Sequence, residues 1–327
     1  MKRRTLLPML AATPLLPHLA QAQTQAPARW SPDRPVRFIV GFAPGGSTDV
    51  TARVVAQGLS AGLGQQVVVE NRTGAAGNIA TEFVARSAPD GHTLIVASVG
   101  SQVTNAQLYR NLPFDPVRDF APVTLMVLSA ALLVVRKDLP VNSVADLIAH
   151  ARANPEALNC GTAGPGSTQH FAAALFENRA GIRFTQVSYR GGAPAMQDLV
   201  TGRLDVMFTP VVEAMEQVRA GQVKALGVTA TRRSAALPDV APIAEALPGY
   251  EFNSWLGLFA PASTPRPAIE RLSREVATAM RQPGTGARLE QLGYQPVGST
   301  PEEFGSFFMA EIPRVAELVR ITGATAE

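Results

Sequence analysis

Glycines followed by small hydroxyl-bearing side chains recur in this sequence, beginning with PGGSTD at residues 44–49. A strand pattern precedes this motif, and a helix pattern with one apolar face follows it. Ser47 or Thr48 is a natural helix N-cap, and Asp49 suits the positive end of the helix dipole. A cap does not require two adjacent glycines, whereas a ligand that approaches the backbone closely benefits from them. The motif is therefore compatible with plain architecture and with an anion site.

The same strand–glycine–helix order returns three times, near residues 74–78, 161–168 and 189–194. The residues predicted to cap or open these helices are Asn78, Ser167 or Thr168, and Pro194. Each helix N-terminus carries roughly half a positive charge and contributes about 0.3–2 kcal/mol to the binding of a nearby anion. The repetition favours a protein that arranges several helix N-termini around a small anion.

The glycine loops lack the signatures of nucleotide binding. A P-loop requires Gly-x-x-x-x-Gly-Lys-Ser/Thr, but neither GFAPGGS nor GTAGPGST contains a lysine. The dinucleotide pattern Gly-x-Gly-x-x-Gly is also absent from these loops. A small carboxylate therefore fits the motifs better than a nucleotide does.

Ser167 and His170 define an alternative, because residues three apart lie close together on a helix. In a hydrolase Ser167 would be the nucleophile, but GPGST does not match Gly-x-Ser-x-Gly and no orienting acid is near in sequence. His92 and His150 show no metal-ligand spacing with each other or with Cys160. An exported hydrolase remains the alternative to a binding protein.

Alternating strands and helices must position these motifs. The predicted strands are short apolar runs at residues 36–42, 66–71, 94–98, 132–136, 158–162, 184–189, 206–208 and 224–230. The predicted helices cover residues 48–62, 78–86, 144–154, 168–179, 194–201, 267–280 and 301–322. Such strands are typical of α/β layers around a mainly parallel sheet. LPFDPVRDFAPV is predicted to be a surface connection, and Cys160, Trp255 and Phe259 are predicted to be buried.

The N-terminus has the form of an export signal, with a basic start, an apolar run and then Ala-Gln-Ala at residues 20–22. We expect a cleaved signal peptide over residues 1–22 and a periplasmic protein, and the twin arginine also suits the twin-arginine route. Three of the 29 basic residues and none of the 26 acidic residues lie there, so the mature chain is neutral. This balance does not support binding to nucleic acid or anionic lipid. The single cysteine cannot form an internal disulfide.

Four longer motifs occur in order: FIVGFAPGGSTDVTAR, VVENRTGAAGNIATEFVARSAPDGHTL, NCGTAGPGSTQHFAAALF and VSYRGGAPAMQDLVTGRLDVMF. Together they resemble the substrate-binding proteins of tripartite tricarboxylate transporters, also called the Bug family, over residues 34–319. The resemblance implies an α/β fold of two lobes, a type II-like Venus flytrap that holds its ligand in the cleft between lobes. One lobe would comprise residues 34–126 and 229–327, and the other residues 127–228.

The resemblance also implies ligand-binding residues in both lobes. A glycine loop and a serine-containing turn would contribute from the first lobe, and a glycine-rich helix start from the second. Arg190 could contact a ligand carboxylate bidentately or form a structural ion pair with Asp198 or Asp205. The implied binding residues are Phe42, Pro44, Gly45, Gly46, Ser47, Thr48, Asp49, Ser98, Ser101, Ala163, Gly166, Ser167, Thr168, Tyr189 and Asp205.

By the same resemblance, the protein is a receptor, not an enzyme, and needs no cofactor or metal. It would pass a small organic carboxylate to the permease subunits of a tripartite tricarboxylate transporter, and we expect a monomer. Candidate ligands are di- and tricarboxylates, acidic amino acids and aromatic acids, with citrate disfavoured because no cation is placed for a third carboxylate. A receptor-like sensor with a signalling partner is a further alternative that the sequence does not separate from transport.

Overall fold

The structure is a computed structural model that describes residues 30–164, 166–189 and 191–325. The predicted signal peptide and both predicted roles of Arg190 lie outside the described residues. Within those ranges, every helix is too short or too polar to traverse a lipid bilayer.

Ten strands are formed by the described residues: β1 Val36–Val40, β2 Val67–Asn71, β3 Thr93–Ser98, β4 Phe120–Arg136, β5 Asn159–Thr162, β6 Thr185–Ser188, β7 Val206–Pro210, β8 Val223–Val228, β9 Asn253–Pro261 and β10 Tyr294–Pro296. The α-helices of the same ranges are α1 Ser47–Leu63, α2 Asn78–Ala85, α3 Asn105–Leu108, α4 Val144–Ala153, α5 Thr168–Ala180, α6 Gly192–Val200, α7 Val211–Arg219, α8 Arg266–Met280, α9 Arg288–Gln291 and α10 Pro301–Thr322.

The elements agree with the predicted strands and helices, apart from β4, of which the prediction covers only residues 132–136, and apart from β9, β10, α7 and two short helices, which the sequence does not predict. The predicted surface connection over residues 112–123 is wrong at its end, because β4 begins at Phe120. The pairing register of β4 shifts between Pro122 and Thr124. This irregularity admits a proline, which has no amide to donate to a neighbouring strand.

The predicted mainly parallel sheet is wrong, because the sheet is mixed. β1 pairs in parallel with β2 and β3, and β5 pairs in parallel with β6 and β7. Every pairing of β4 and β9 is antiparallel. The strand–helix order predicts parallel pairing inside each α/β unit, but it carries no information about the long strands that join the units.

β4 joins the two α/β units, in the strand order β2-β1-β3-β9-β4-β7-β5-β6. Its residues 120–130 pair with β9, and from Ala131 onward it pairs with β7 and β8. The chain after β8 stays beside the second unit, because Val228 bridges Pro242 and the Phe252 amide donates to Thr229 O. The two-unit α/β architecture is as predicted, while the exact lobe boundaries stay a prediction.

Helices cover the sheet and bury its apolar faces. α1 buries Val55 and Leu59 in one cluster with Leu272 and Val276 of α8. Each such side chain stabilises the fold by about 1.5–3 kcal/mol when it is fully buried.

The residues predicted to be buried are confirmed as such. Cys160 is buried in β5, which raises the pKa of its thiol. Trp255 and Phe259 of β9 are fully buried, and they pack on aromatic side chains of α10. The Trp255 indole nitrogen donates a hydrogen bond of 2.8 Å to the Glu311 carboxylate, so the ring is buried without leaving its donor unpaired.

Candidate ligand-binding cleft

A cavity of about 770 Å³ lies where the two α/β units face each other. Its lining includes residues at the start of five helices, α1, α2, α5, α6 and α7: Ser47, Ala76, Ser167, Thr168, Gly191, Gly192 and Pro210. This convergence follows from the topology, because each of these helices begins at the carboxyl end of a strand. Ligands of open α/β sheets bind at that edge of the sheet.

α1 begins with free backbone donors. Its N-cap is Gly46, which has no side chain to cap the helix, so the predicted N-cap at Ser47 or Thr48 is wrong. The Val50 amide donates to Gly46 O at 2.9 Å, and the amides of residues 47–49 precede this first intrahelical bond. Donors of this kind, at the positive end of the helix dipole, suit a carboxylate.

Asp49 supports the loop before α1. It is 2 % exposed. Its carboxylate accepts hydrogen bonds from the Gly45 amide at 2.9 Å, from Arg53 Nε at 2.9 Å and from Asn71 Nδ2 at 2.8 Å. Burial acts to raise the pKa of Asp49, but these hydrogen bonds outweigh burial and lower it. Gly45 has a φ of 83°, a left-handed conformation that favours glycine.

The predicted residues of this loop therefore divide into two groups. Phe42 and Ser47 line the cavity. The others lie outside its lining and shape the loop: Pro44, Gly45, Gly46, Thr48 and Asp49.

The turn after β3 lines the cavity together with the start of α1, and these two segments with the start of α2 are called the first wall of the cleft. Ser98 lines the cavity, while the buried Ser101 exchanges hydrogen bonds with it, each amide donating to the other hydroxyl at 3.2 Å. Asn105 also lines the cavity and donates to Ala76 O at 3.0 Å, which ties this turn to the start of α2.

Thr104, in the same turn, lines the cavity with a polar group that lacks a partner. Its residue is 2 % exposed, and its hydroxyl has no hydrogen-bond partner among the described residues. A buried hydroxyl without a partner is unfavourable. The sequence does not single out Thr104 or Asn105, because nothing in their spacing separates them from ordinary helix residues.

The starts of α5, α6 and α7 form the opposite side of the cavity, which is called the second wall. Ser167 is the N-cap of α5, as predicted, and its hydroxyl accepts a hydrogen bond from the His170 amide at 3.2 Å. Imidazole Nδ1 of His170 accepts from the Gly166 amide at 3.1 Å, and burial lowers the pKa of His170. Ala163, Gly166, Ser167 and Thr168 all line the cavity.

α2 and α6 begin differently from what the sequence predicts. The N-cap of α2 is Gly77 instead of Asn78, and α6 begins at Gly192, two residues before Pro194. Gly191, the N-cap of α6, has a φ of 117° and no side chain to cap the helix. Glycine caps thus leave the first amides of both helices without a side-chain acceptor.

Gly166 brings the two walls into contact. A Cβ atom on Gly166 would lie 2.9 Å from Leu108 Cδ1 and 3.4 Å from Thr104 Cγ2, and both of these residues belong to the first wall. The φ of Gly166 is 72°, so glycine also suits the backbone here.

Tyr189 and Asp205 lie outside the cavity lining, and other residues engage their side chains. The Tyr189 hydroxyl donates to Asp198 at 2.7 Å. Asp205 accepts hydrogen bonds from Arg136 Nε at 2.8 Å and from the Asn159 amide at 2.9 Å, which tie β4 and β5 to the start of β7 between them. This geometry offers no support for a ligand-binding role of either side chain.

Two charged side chains line the cavity within the described residues, Glu213 of α7 and Arg314 of α10. Arg314 is engaged by Glu311, with nitrogen–oxygen distances of 2.5 and 2.6 Å. Glu213 is exposed to the cleft and accepts a hydrogen bond from Thr209 at 3.2 Å. The surrounding protein disfavours its charged form and raises its pKa. The sequence analysis misses Glu213 because α7 itself is not predicted.

Neither a hydrolase dyad nor a metal centre is assembled from the described residues. The hydroxyl of Ser167 contacts the backbone of His170, while the His170 ring bonds a different residue. Among those residues there is also no group of three His, Cys, Asp or Glu side chains arranged to hold a metal ion.

Comparison with known proteins identifies the family. The family described as "Tripartite tricarboxylate transporter family receptor" matches residues 51–323. Protein BugT of Bordetella pertussis is 35 % identical over 295 residues, which cover 90 % of this chain and 90 % of BugT.

Solved structures agree with this match. The structure of R. palustris Rpa4515 with adipate has a TM-score of 0.80 and 37 % identity, covering 90 % of this chain and 99 % of that chain. MatC (Rpa3494) from Rhodopseudomonas palustris with bound malate has a TM-score of 0.74 and 36 % identity, covering 88 % and 99 %. The predicted solute-binding α/β fold is confirmed, and the chain belongs to the tripartite tricarboxylate transporter receptors, the family that includes the Bug proteins.

Proposed function

We propose that this protein is a periplasmic solute receptor that binds a small organic carboxylate in the cleft and delivers it to a tripartite tricarboxylate transporter permease. One observation carries the proposal: the starts of five helices line a single cavity. At α1, three amides precede the first intrahelical bond and have no capping side chain. The two similar structures with adipate and malate support a carboxylate as the ligand class.

Backbone donors can supply sufficient affinity without a free cation. Each helix start contributes about 0.3–2 kcal/mol toward a nearby anion, and hydrogen bonds to a charged group contribute about 1.5–3 kcal/mol. Two or three such contacts approach the roughly 8 kcal/mol of a micromolar complex. Arg314, which Glu311 engages, is therefore not required to bind the carboxylate.

Binding is proposed to be coupled to closure of two lobes, residues 34–126 with 229–327 and residues 127–228. The carboxylate binds first at the start of α1, and the start of α5 then completes the set of donors. The free energy of closure must come from contacts that exist only in the closed state. Gly166, which lies against Leu108 and Thr104, is in a position to form such a contact.

Titration calorimetry against a panel of mono-, di- and tricarboxylates tests this proposal, with chromatography of the same mixtures. We expect at least one acid to bind and to raise the melting temperature, as a ligand of the folded state must, with no chemical product. Conversion of a bound acid would contradict the receptor function, and so would the absence of binding across the panel. An unchanged radius of gyration at saturation would contradict lobe closure alone.

A further inference from the structure

The side chain of Glu213 carries a carboxylate, although the helix starts around it suit the binding of a ligand carboxylate. It belongs to the first turn of α7, where an acidic residue is favourable for the helix dipole. The dipole explains the residue type but not its orientation, because the side chain reaches across to α6. A side chain on Gly192 would collide with the Glu213 carboxylate, and it would also lie 3.2 Å from Gln169 Nε2.

The Glu213 carboxylate therefore lies beside the starts of α5 and α6, and Glu213 lines the same cavity as Ser47 at the start of α1. Burial raises the pKa of the Tyr294 hydroxyl, and the charge of Glu213 adds to that increase. This hydroxyl donates to Ser47 O, at the start of α1, at 3.4 Å. Glu213 and the start of α1 thus line the same cavity from its two walls.

The two charged side chains of the cavity lining therefore differ in how far their charges are neutralised by neighbouring groups. Within the described residues, Arg314 is paired with Glu311, whereas Glu213 accepts one side-chain hydrogen bond, from the neutral Thr209. A ligand carboxylate anchored at α1 is neutralised by amides there. A second carboxylate near α7 would meet a like charge, which is unfavourable.

We propose that Glu213 determines specificity in this cleft, favouring acids whose far end carries a hydrogen-bond donor, foremost an ammonium group, over acids with a second carboxylate. This inference rests on the proposed function, because it assumes that one carboxylate of the ligand is anchored at α1. The side-chain amide of Gln169, which also lines the cavity, offers a neutral partner beside the charged one. The selected ligands are ω-amino acids and related donor-bearing monocarboxylates.

The test compares ligands that differ only at the far end. Glutarate is paired with 5-aminopentanoate, and adipate with 6-aminohexanoate, by titration calorimetry at pH 8, which favours the ionised carboxylate. The proteins are the unmodified chain, Glu213→Gln, and Glu216→Gln as a control, since Glu216 is exposed on the same helix. Thermal unfolding verifies that both variants are folded.

We expect the unmodified protein to bind the amino acid of each pair at least tenfold more tightly than the dicarboxylate. Glu213→Gln should reduce this ratio to less than threefold, and Glu216→Gln should leave it unchanged. A preference of the unmodified protein for dicarboxylates, or a ratio unaltered by Glu213→Gln, would overturn the inference while leaving the receptor function intact. Even if Glu213→Gln does not fold, the ratio of the two affinities in the unmodified protein tests the inference. If no member of either pair nor any acid of the wider panel bound, the proposed function would fail together with this inference.

Discussion

The two walls of the cleft are built from the same strand–glycine–helix order, but they leave different groups free. On the first wall, the amides at the start of α1 have no capping side chain, and the buried Asp49 of the first helical turn supports the loop before the helix. On the second wall, Ser167 caps α5 with its hydroxyl, the first amides of α6 have no capping side chain, and the carboxylate of Glu213 faces the cleft. In the proposed mechanism the first wall binds a carboxylate, and the second wall distinguishes what else the ligand carries.

The largest expected effect comes from removing one amide of the first wall. Ser47 is the first helical residue of α1, where proline is tolerated, and Gly46 before it is extended, as a residue preceding proline prefers. Ser47→Pro should therefore fold normally but lose the donor. We expect affinity for a bound acid to fall by roughly 10- to 150-fold, the equivalent of about 1.5–3 kcal/mol, in calorimetry.

Ser47→Ala is the matched control, since it removes the hydroxyl and retains the amide. Its affinity should stay within about threefold of the unmodified protein. Equal affinities of the proline and alanine variants would show that the Ser47 amide does not contact the ligand.

The contact between the walls gives the next largest effect. Gly166→Ala adds a methyl group against Leu108 and Thr104, and we expect a roughly tenfold loss of affinity because the walls can no longer approach. Gly181→Ala is the control, since Gly181 also has a positive φ of 62° but nothing lies within 4 Å of its added Cβ. Both variants should lose about 1 kcal/mol of stability from backbone strain, so only the difference in affinity reports the contact. Similar affinities of the two variants would contradict a role for this contact in binding.

A smaller effect is expected from the support of the first wall. Asp49→Asn keeps the shape of the side chain but weakens its bonds to Gly45 and Arg53. Stability should fall by about 1–3 kcal/mol in urea unfolding at pH 7, and affinity by a few fold. Because the folded pKa of Asp49 is lowered, its contribution is present at neutral pH and is lost as pH falls below the ordinary aspartate value.

Asp146→Asn makes the same change at the start of α4, where Asp146 accepts the Asn142 amide on the exposed surface. Its affinity should equal that of the unmodified protein. If both variants weakened binding alike, the loop that Asp49 supports would have no specific role in ligand binding.

The smallest effect concerns the support of the second wall by His170. Its pKa is lowered in the folded state, so the unfolded chain takes up the proton more readily. The stability it contributes is present above pH 6.5 and is lost as pH falls, when protonation also removes the acceptor for the Gly166 amide. Between pH 7 and pH 5, the melting temperature of His170→Gln should fall less than that of the unmodified protein. The difference between the two falls should be under about 3 °C. Identical pH profiles for His170→Gln and the unmodified protein would contradict the assignment.

The local parts of this architecture could be predicted from sequence. A glycine or serine before an apolar helix face sets the start of α1 and α5 to within a residue of its observed position. The identity of the cap is harder, because Ser47 and Thr48 are as suitable as Gly46 by composition. The choice depends on the loop conformation, which Asp49 fixes through Gly45.

The long-range parts could not be predicted in the same way. NSWLGLFAP is apolar on both faces, and a short apolar run of this kind does not separate a buried strand from a buried helix segment. β9 is therefore not recognised as a strand, although its Trp255 and Phe259 are recognised as buried. Without β9, the antiparallel joint with β4 stays hidden. Residues that meet across the cleft, such as Thr104 and Gly166, then have no signal in the sequence.

A crystal structure with the tightest-binding acid of the calorimetry panel tests the central claim most directly. We predict a ligand carboxylate oxygen within about 3.2 Å of a backbone nitrogen of residues 47–49. A carboxylate bound instead by Arg314, by a metal ion, or anywhere distant from the start of α1 would contradict the account.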